Sequence, residues 1–488
     1  MITQADSPRA AKATTPTLAQ LTTIGVGGAV DRFVEPRSEE AFITAVRGAD
    51  MAHLPLLVIG GGSNLLVADA PFHGVVVRDA RRGISVSEDK AEIRASFDGG
   101  ARGDTISDTA NDTKAQTDHQ ADTDTSPNVA ATAEGDADAN MDAQADAVVI
   151  VAQAGVSWDD FVAFCVSSGF SGVEGLSGVP GTVGASVVQN IGAYGQEVAS
   201  VVSSVRVFDR KSDSVCRLER EDMRFGYRSS ALKSSMYVAP ATPAGDYFPT
   251  PRYAVLDVTF VLRRSSTGEV AFGQLAKALG VETGKRMSIA LIRNAVLKIR
   301  AAKGMLEDSG RYASPWMCGC RDERNVNEAM EATEAMNASH GNDVPGQQEF
   351  DQAHGFQRDS ADGGVQRQPD FNRHSCGSFF MNPILEPAQA VHLPADAPRF
   401  DAILPDGQPG VKTSAAWLID HAGFHKGFKV RRDACAGLST LHTLALTNRG
   451  GASAEDIAEL ARTIQDGVEA AYGIRLVPEP VVVGMDLR

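Results

Sequence analysis

The chain has 488 residues and a mass of 51.5 kDa, with 43% apolar residues and a mean hydropathy of -0.14. This length predicts about three compact lobes rather than one small core. No apolar run approaches the ~18–20 residues of a membrane helix, which excludes a protein that spans the bilayer. Residues 1–17 contain no apolar stretch that could act as a secretory signal. We therefore expect a flexible N-terminus, a cytoplasmic location and no membrane partner.

The net charge of -16 is concentrated in two segments of the chain. Residues 98–147 hold 12 acidic and 2 basic residues, and residues 307–373 hold 13 acidic and 6 basic residues. The rest of the chain is nearly neutral, so the acidity says nothing about the substrate. No basic stripe stands out, which argues against a nucleic-acid partner.

Both charged segments are poor in residues that build a core. Residues 98–147 contain no aromatic residue, and we predict a disordered surface insertion. Residues 307–373 are predicted to be a low-complexity loop with a helical pattern only at 325–338. Within that loop, the spacing of Cys318 and Cys320 matches no common zinc pattern, so we interpret them as thiols on a mobile loop and expect no metal.

The remaining chain alternates strand-like and helix-like patterns. Runs rich in β-branched residues predict strands at 54–59, 74–78, 147–152, 201–209 and 253–262. Apolar periodicity predicts helices at 39–48, at 158–169 after Ser157, and at 452–472 between Ser453 and Gly473. Strands and helices interleave without a regular βαβ rhythm, which predicts an α+β fold rather than a doubly wound sheet.

Besides a short run at Gly25-Val-Gly27-Gly28, glycine is concentrated in two clusters, at residues 60–62 and 178–195. A backbone without Cβ atoms can bring successive N–H groups against a phosphate. A Rossmann fingerprint would need a helix after the first cluster, but residues 65–67 continue as another strand-like run. The first cluster alone is compatible with a simple tight turn. The long second cluster favours a phosphate-binding role.

Five motifs occur in an order that resembles one enzyme family. They are Gly60-Gly-Gly-Ser-Asn64, Val179-Pro-Gly-Thr-Val-Gly184 with Gln189-Asn-Ile-Gly-Ala-Tyr-Gly195, Phe225-Gly-Tyr-Arg-Ser229, Gly377-Ser-Phe-Phe-Met-Asn-Pro383 and Pro478-Glu479. Together they resemble the UDP-N-acetylenolpyruvoylglucosamine reductases, also called UDP-N-acetylmuramate dehydrogenases. The resemblance runs from about Leu21 to Gly484 and skips the two charged segments.

The resemblance implies a specific architecture: a two-lobed FAD-binding domain of the vanillyl-alcohol-oxidase type and a C-terminal α+β substrate-binding domain. The expected boundaries are 18–79 for the first FAD-binding lobe and 80–298 for the second. The substrate-binding domain is expected at 299–475. A C-terminal strand carrying the catalytic glutamate is expected at 476–488.

The resemblance also implies the reaction. Members of the family reduce UDP-N-acetylglucosamine enolpyruvate to UDP-N-acetylmuramate, a peptidoglycan precursor, with non-covalent FAD and with NADPH as hydride donor. The partner is thus a small UDP-sugar, and we expect a monomer. Two alternatives remain open: another FAD-dependent oxidoreductase of the same fold, or a nucleotide-binding homologue that has lost catalysis.

By resemblance, the backbone of the glycine clusters holds FAD, through Gly60, Gly61, Gly62, Ser63, Asn64, Leu65, Gly181, Gly184, Ser186, Gly192 and Ala193. Further family matches are substrate contacts: Tyr227, Lys303 and Asn382. Where the main subclass has a lid tyrosine, this chain has Phe272, whose ring can stack on uracil but lacks the tyrosine hydroxyl. Lys412 and residues 417–420 are assigned to the scaffold of the last domain.

Three residues match the family's catalytic positions. Arg228 is expected to bind the substrate carboxylate, because its planar guanidinium can grip a carboxylate with two hydrogen bonds. Glu479 is expected to be protonated and to donate a hydrogen bond to the developing dianion. Ser378 is expected to protonate the α-carbon; no G-x-S-x-G elbow surrounds it, so it does not resemble a hydrolase nucleophile.

Overall fold

The computed structural model describes residues 15–87, 146–236, 249–321, 370–404 and 406–487. Most of the predicted insertion at 98–147 and the predicted helix at 325–338 lie outside the described residues. No helix within the described ranges is long and apolar enough to cross a membrane.

The first lobe is a small parallel sheet with a helix packed on it. Its elements in chain order are α1 (Leu18–Leu21), β1 (Val30–Val34), α2 (Glu39–Met51), β2 (Leu56–Ile59), β3 (Leu65–Val67) and β4 (Phe72–Arg78). The sheet has the strand order β1–β4–β2. Helix α2 begins where the Ser38 hydroxyl accepts the Ala41 N–H at 3.1 Å, and it buries Phe42 and Val46 against this sheet.

The second lobe is built on a larger antiparallel sheet. Its strands are β5 (Ile84–Ser87), β6 (Ala147–Gln153), β7 (Phe170–Ser171), β8 (Gly192–Ala193), β9 (Gln196–Glu197), β10 (Val202–Asp209), β11 (Ser214–Glu219), β12 (Tyr253–Arg264), β13 (Thr267–Glu269) and β14 (Arg286–Ser288). The main sheet has the order β11–β10–β12–β6–β5, with β7 also paired to β12. Phe161 and Phe260 meet in its core with ring centroids 4.6 Å apart.

Five helices cover and connect these strands: α3 (Trp158–Ser167), α4 (Val183–Gln189), α5 (Ala231–Ser235), α6 (Gly273–Leu279) and α7 (Ile289–Ala302), with 3-10 turns at Glu174–Leu176 and Val198–Ser200. Ser157 precedes α3 as predicted, but its side chain makes no capping hydrogen bond. Helix α7 continues through the expected domain boundary at 298/299. The second lobe therefore extends to the end of α7.

The start of the predicted low-complexity loop is packed onto the first lobe. Residues 307–321 contain a 3-10 turn at Ser309–Ala313, and Met317 is 1% exposed in a core cluster with Leu18 and Val76. Cys320 packs against the same cluster, whereas Cys318 is exposed. The prediction of thiols on a mobile loop is therefore wrong for Cys320. The aromatic and sulfur side chains at 316 and 317 were the sequence signal for this packing.

The third lobe combines small sheets with two core helices. Its elements are a 3-10 turn (Phe371–Arg373), β15 (Ile384–Leu385), α8 (Pro387–Ala390), β16 (Phe400–Ile403), β17 (Pro409–Lys412), α9 (Ala415–His421), β18 (Ala436–Leu438), β19 (Leu446–Asn448) and α10 (Ala454–Tyr472). Ser453 and Asp456 form a capping box at the start of α10, and Gly473 ends it at φ +68°. Both ends of this helix were predicted.

After α10 the chain returns to the first lobe. Strand β20 (Val481–Val483) pairs in parallel with β3, with Val481 opposite Leu65. Two residues before this strand, the Glu479 N–H donates to the Phe379 carbonyl at 2.8 Å. Glu479 therefore lies where the chain crosses from the third lobe to the first, just ahead of the strand that was predicted to carry it.

Within the described ranges, every predicted strand and helix is present, with ends that differ by a few residues. The α+β class is confirmed, because the main sheet is antiparallel and the parallel pairs are confined to the first lobe. Strand β3 follows the first glycine cluster directly, which confirms that no Rossmann helix starts there.

Candidate active site

A cleft lies where the three lobes meet. It contains about 1120 Å³ of empty space, part of it open to solvent. Its lining includes predicted site residues from every lobe: Ser63, Asn64, Gly181, Ser186, Gly192, Ala193, Arg228, Ser378 and Glu479.

One wall of the cleft is made of backbone from two glycine-rich turns. We call residues 60–64 the first glycine turn and residues 178–184 the second. A Cβ atom on Gly61 would lie 3.0 Å from the Gly181 Cα atom, and the Ser63 hydroxyl donates to the Pro180 carbonyl at 3.0 Å. Glycine is therefore needed at position 61 for the two turns to touch.

The first glycine turn has the features of an anion-binding nest. Among the described residues, the backbone N–H groups of Gly61, Gly62, Ser63 and Asn64 have no protein acceptor. Unpaired backbone donors are rare inside proteins and are normally satisfied by water or a ligand. Four successive free amides beside a cleft fit the diphosphate of a dinucleotide cofactor such as FAD.

The second glycine turn is held from behind by charged side chains. Asp159 accepts the Gly178 N–H at 2.7 Å and pairs with Arg293 at 2.6 Å. Burial disfavours the ionised carboxyl, but the Arg293 guanidinium and the Gly178 N–H outweigh it and lower the pKa of Asp159 to about 2. Arg300 donates to the Gly178 carbonyl at 3.1 Å. This turn is therefore fixed by charge-assisted hydrogen bonds.

Beyond helix α4 the cleft wall continues as a tight hairpin. Strands β8 and β9 are joined by Tyr194 and Gly195, whose φ angles of +50° and +85° are those of a type I′ turn. Asn190 and Arg228 also have positive φ angles, of +48° and +52°. Non-glycine residues in this conformation cost about 1–3 kcal/mol each, and they cluster at functional sites.

The catalytic arginine and glutamate predicted from the sequence form an ion pair in the cleft. Arg228 Nε lies 3.0 Å from Glu479 Oε1, and Arg228 Nη2 donates to the Gly192 carbonyl at 2.8 Å. Both side chains are mostly buried, with 18% and 15% of their surface exposed. The guanidinium therefore links the hairpin of the second lobe to the C-terminal crossing.

Two further polar side chains surround this ion pair. Gln189 Nε2 donates to Glu479 Oε1 at 3.2 Å, while its own Oε1 atom is buried without a partner among the described residues. Lys233 Nζ lies 3.2 Å from the Arg228 carbonyl and 3.4 Å from the Glu479 carbonyl. Burial lowers the pKa of Lys233, and the neighbouring Glu479 partly opposes that shift. Sequence analysis had given neither Gln189 nor Lys233 a role.

Ser378 enters the same cleft from the third lobe. Its hydroxyl lies 3.3 Å from Nε2 of His442, a side chain with no exposed surface. Gly377, at φ +76°, makes the turn that presents the serine. Sequence analysis missed His442, because it lies 64 residues further along the chain in an apolar stretch and carries no local motif.

Tyr227 and Asn382 contact one another next to Arg228, whose guanidinium lies over the Tyr227 ring. The Asn382 N–H donates to the Tyr227 hydroxyl at 3.3 Å, and burial raises the pKa of Tyr227. The Lys412 ammonium lies 4.9 Å from the centre of the Tyr227 ring. Burial and the nearby Arg228 lower the pKa of Lys412. Lys412 is on strand β17 of the scaffold, as expected, but its charge faces the site.

Some predicted residues shape or flank the cleft without lining it. A Cβ on Gly60, Gly62 or Gly184 would meet Thr182, Leu21 or Ala154, and Leu65 pairs with β20. Lys303 is 7% exposed and donates to the Gln274 side chain at 3.1 Å. Phe272 is buried against Tyr194, with ring centroids 5.9 Å apart. Residues 417–419 are buried in the third-lobe core, as expected.

Within the described parts of the chain, no group of three or more His, Cys, Asp or Glu residues is placed to hold a metal ion. His374, which follows the Cys318–Cys320 pair in sequence, instead lies 3.3 Å from Asp308.

Comparisons with known proteins identify the family of this chain. Residues 368–483 match the family model for the UDP-N-acetylenolpyruvoylglucosamine reductase C-terminal domain, and residues 30–137 and 136–218 match the FAD binding domain. The UDP-N-acetylenolpyruvoylglucosamine reductase of Cutibacterium acnes is 35% identical over 96% of this chain and 89% of its own length.

Other relatives are similarly related over nearly their whole length. The enzyme of the same name from Thermobifida fusca is 33% identical over 96% of this chain and 97% of its own length. The crystal structure of UDP-N-acetylenolpyruvylglucosamine reductase from Thermus caldophilus is 19% identical, covers 96% of this chain and 97% of its own, and has a TM-score of 0.44. From the identities and coverage of the first two relatives, this chain belongs to the UDP-N-acetylenolpyruvoylglucosamine reductase family.

Proposed function

We propose that Arg228, Ser378 and Glu479 carry out the family's reduction in this chain. The chain is an FAD-dependent oxidoreductase that reduces UDP-N-acetylglucosamine enolpyruvate to UDP-N-acetylmuramate with NADPH, a step in peptidoglycan synthesis. The observation that carries the assignment of residues is their convergence: the Arg228–Glu479 ion pair and Ser378 line one cleft together with Ser63 and Asn64 of the first glycine turn.

The reaction sets defined requirements for the protein. FAD, reduced by NADPH, supplies the hydride that adds to the β-carbon of the enol ether. The electron pair of the double bond then moves to the α-carbon and its carboxylate, and the α-carbon must take up a proton. The protein must bind the carboxylate, stabilise the developing dianion and provide the proton.

Arg228 is proposed to stabilise the dianion. Its guanidinium is always charged and is held by the Gly192 carbonyl at 2.8 Å. The residue has a positive φ of +52°, and its side chain lines the cleft. A substrate carboxylate that approaches Arg228 must share the guanidinium with Glu479.

The proposed role of Glu479 depends on whether Arg228 pairs with Glu479 or with the substrate carboxylate. While it pairs with Arg228 at 3.0 Å, its carboxylate balances the positive charge. A substrate carboxylate would bring a second negative charge and draw the guanidinium away from Glu479. The role proposed for Glu479 is to donate a hydrogen bond to the developing dianion. Gln189 holds the same Oε1 atom at 3.2 Å and keeps the side chain in place.

Ser378 is proposed to be the proton donor. Its O–H bond breaks as the α-carbon takes the proton, and the serine oxygen is left with the electron pair. A carbanion is a much stronger base than an alkoxide, so the transfer is downhill. We assign His442 a positioning role: its Nε2–H, 3.3 Å away, would donate to Oγ, direct the hydroxyl proton into the cleft and stabilise the alkoxide until solvent reprotonates it.

The remaining predicted residues are proposed to bind the cofactor and the UDP moiety. The free amides of residues 61–64 would receive the FAD diphosphate, with Gly181, Ser186, Gly192 and Ala193 lining the remainder of the cofactor. Tyr227, Lys303 and Asn382 would contact the substrate. Lys303 would first have to exchange its hydrogen bond with Gln274 for one to the substrate.

Two alternatives are less well supported. An oxidoreductase of the same flavin fold with another substrate has no need for a buried Arg–Glu pair beside a serine and a histidine. A homologue without catalysis would not need to maintain the positive φ angle at Arg228. We further propose a cytoplasmic monomer. In support, the described part of one chain forms the whole cleft, and all six cysteines are free thiols, as is usual in that compartment.

The test is reconstitution of the purified protein with FAD. Flavin absorbance bands should persist after removal of free FAD, and NADPH oxidation should depend on added enolpyruvyl substrate. Bound flavin with no substrate-dependent NADPH oxidation would contradict the proposal. Size-exclusion chromatography with light scattering tests the monomer, and a mass near 103 kDa, twice the 51.5 kDa of the chain, would contradict it.

A further inference from the structure

We infer that Arg311 is a positioning residue for the cofactor diphosphate, acting through the carbonyl groups of the first glycine turn. This inference rests on the proposed placement of FAD at residues 61–64. Arg311 belongs to the segment 305–321, which follows helix α7 and includes the start of the predicted low-complexity loop. None of the family motifs includes it.

The segment 305–321 is fixed to the first lobe. Trp316 packs edge-to-face on Phe33, with ring centroids 6.1 Å apart, and Met317 is buried in the first-lobe core. Arg78 donates to the Trp316 carbonyl and also pairs with Glu35 at 2.6 Å. These contacts combine apolar burial with a nearly buried cation, so the segment is firmly anchored on this side.

The same segment also contacts the other two lobes. Arg321 pairs with Asp160 at 3.1 Å and with Asp159 at 3.4 Å, both on helix α3 of the second lobe. Asp308 lies 3.3 Å from His374 of the third lobe. The segment therefore spans the junction at which the cleft is formed, and Glu307 and Met305 line the cleft itself.

Arg311 projects from this segment to the back of the first glycine turn. Its Nη2 atom donates to the Gly61 carbonyl and to the Leu21 carbonyl, each at 3.1 Å. Its Nη1 atom is paired with Glu307, and only 11% of the Arg311 side chain is exposed. The ion pair with Glu307 therefore holds the Arg311 guanidinium in position against the first glycine turn.

Because a peptide group is planar, fixing its carbonyl also fixes the direction of its N–H group in the nest. In a trans peptide the N–H points opposite to the preceding C=O, and the described chain contains no cis peptides. With the Gly61 carbonyl fixed by Arg311, the Gly62 N–H must point away from Arg311. The Gly62 carbonyl accepts the Thr23 N–H at 3.0 Å, which orients the Ser63 N–H in the same manner. Two of the four free amides are therefore oriented from behind.

Without Arg311 the first of these peptide groups could rotate. Gly61 and Gly62 both lack a Cβ, and glycine populates many backbone conformations. A nest whose amides must be ordered on binding has a lower affinity than one that is already ordered. Arg311 would therefore raise FAD affinity without contacting FAD.

The experiment is a titration of the full-length apoprotein with FAD, followed by flavin fluorescence, for Arg311→Met and for a matched control. Arg311→Met keeps most of the aliphatic stem and removes the donors, and the dissociation constant for FAD should rise about tenfold or more. The control is Arg399→Met, because Arg399 also donates to backbone carbonyls (Leu393, Pro394, Ala395 and Ala397) but lies in the third lobe. Its dissociation constant should be unchanged.

Two further variants and one stability measurement distinguish a lost contact to the first glycine turn from a general loss of folding. Arg311→Lys keeps a cation and one donor group and should recover part of the affinity, and the unfolding temperature of the apoprotein shows whether each variant is folded. If Arg311→Met does not fold, Arg311→Lys decides: about threefold weaker binding or more supports the inference. Gly62→Ala, strained at φ +68° and by the Leu21 carbonyl, should also weaken FAD binding.

A folded Arg311→Met protein with an unchanged FAD dissociation constant would overturn the inference. The same holds for an unchanged constant in Arg311→Lys when Arg311→Met cannot be folded. If Gly62→Ala also binds FAD normally, the diphosphate placement itself is wrong. If only Gly62→Ala weakens binding, the placement stands and the role of Arg311 is wrong.

Discussion

The two walls of the cleft are built from different chemical groups: one from backbone atoms and the other from side chains. The cofactor wall is backbone: free amides at 61–64, a glycine contact between residues 61 and 181, and a type I′ hairpin at Tyr194-Gly195. The other wall is made of side chains from three positions far apart in the sequence: Arg228, Ser378 and Glu479. Adding a Cβ atom should damage the first wall, whereas removing a functional group should damage the second. The two kinds of change should therefore affect different measurements.

The largest effect is expected when the side-chain wall loses its proton donor. Ser378→Ala removes the hydroxyl near His442, and the rate of product formation should fall by about 10²–10⁴-fold, the usual contribution of a general acid. FAD affinity should not change. Single-turnover reaction of the reduced enzyme in deuterated water, with mass analysis of the product, measures protonation at the α-carbon. Deuterium incorporation at the unmodified rate would show that another group is the donor.

A change in the backbone wall should have the opposite pattern. Gly61→Ala places a Cβ 3.0 Å from the Gly181 Cα atom, so the turns must separate and FAD binding should weaken about tenfold or more. At saturating FAD, kcat should remain close to that of the unmodified enzyme. Gly48→Ala is the control, because a Cβ at that helical position meets nothing within 4 Å. A normal FAD dissociation constant for Gly61→Ala would contradict the division between the walls.

Substitutions of His442 test whether its hydrogen bond to Ser378 affects the rate of product formation. His442→Gln keeps a hydrogen-bond donor for Ser378, whereas His442→Leu does not. We expect the leucine variant to form product about tenfold more slowly than the glutamine variant, in line with the loss of one hydrogen bond to a charged group. The KM for the UDP-sugar should be similar in both. Equal product-formation rates in the two folded variants would remove His442 from the mechanism.

The smallest effect is expected in the framework that holds the second glycine turn. The folded-state pKa of Asp159 is lowered to about 2, below that of an unfolded aspartate, so its stabilising effect is complete above about pH 4. It is lost as the pH falls from about 4 through about 2, and amounts to roughly 2 kcal/mol. Asp159→Asn should therefore flatten the acid side of the unfolding free energy against pH. Asp213→Asn, at an exposed surface pair, should not. If the unfolding free energies of Asp159→Asn and the unmodified protein fell with pH in the same way, the stabilising role of Asp159 would be contradicted.

The backbone wall was the easier one to predict from sequence. Its glycines are contiguous in the chain, and glycine at a close approach or a positive φ is dictated locally, as at Gly61 and Gly195. Helix α10 was predictable for the same reason, because Ser453 and Gly473 define its ends through local hydrogen bonds.

The side-chain wall could be found only in part. Arg228, Ser378 and Glu479 were identified through motifs of the family, whereas their partners His442, Gln189 and Lys233 were not. Those partners depend on where the third lobe and the C-terminal crossing meet the second lobe, which no local pattern encodes. Similarly, the overall polar composition of residues 307–373 did not predict the packing of Trp316 and Met317. These two apolar side chains anchor residues 305–321 on the first lobe.

The central claim is that Arg228 and Glu479 serve the substrate carboxylate and not the cofactor. The most direct test follows the two half-reactions separately by stopped-flow absorbance of the flavin, in Arg228→Met and Glu479→Gln. We expect flavin reoxidation by the enolpyruvyl substrate to slow by roughly 10²–10³-fold or more, because only this half-reaction develops the dianion. Flavin reduction by NADPH should stay within a few-fold of the unmodified rate. Equal slowing of both half-reactions would contradict the assignment.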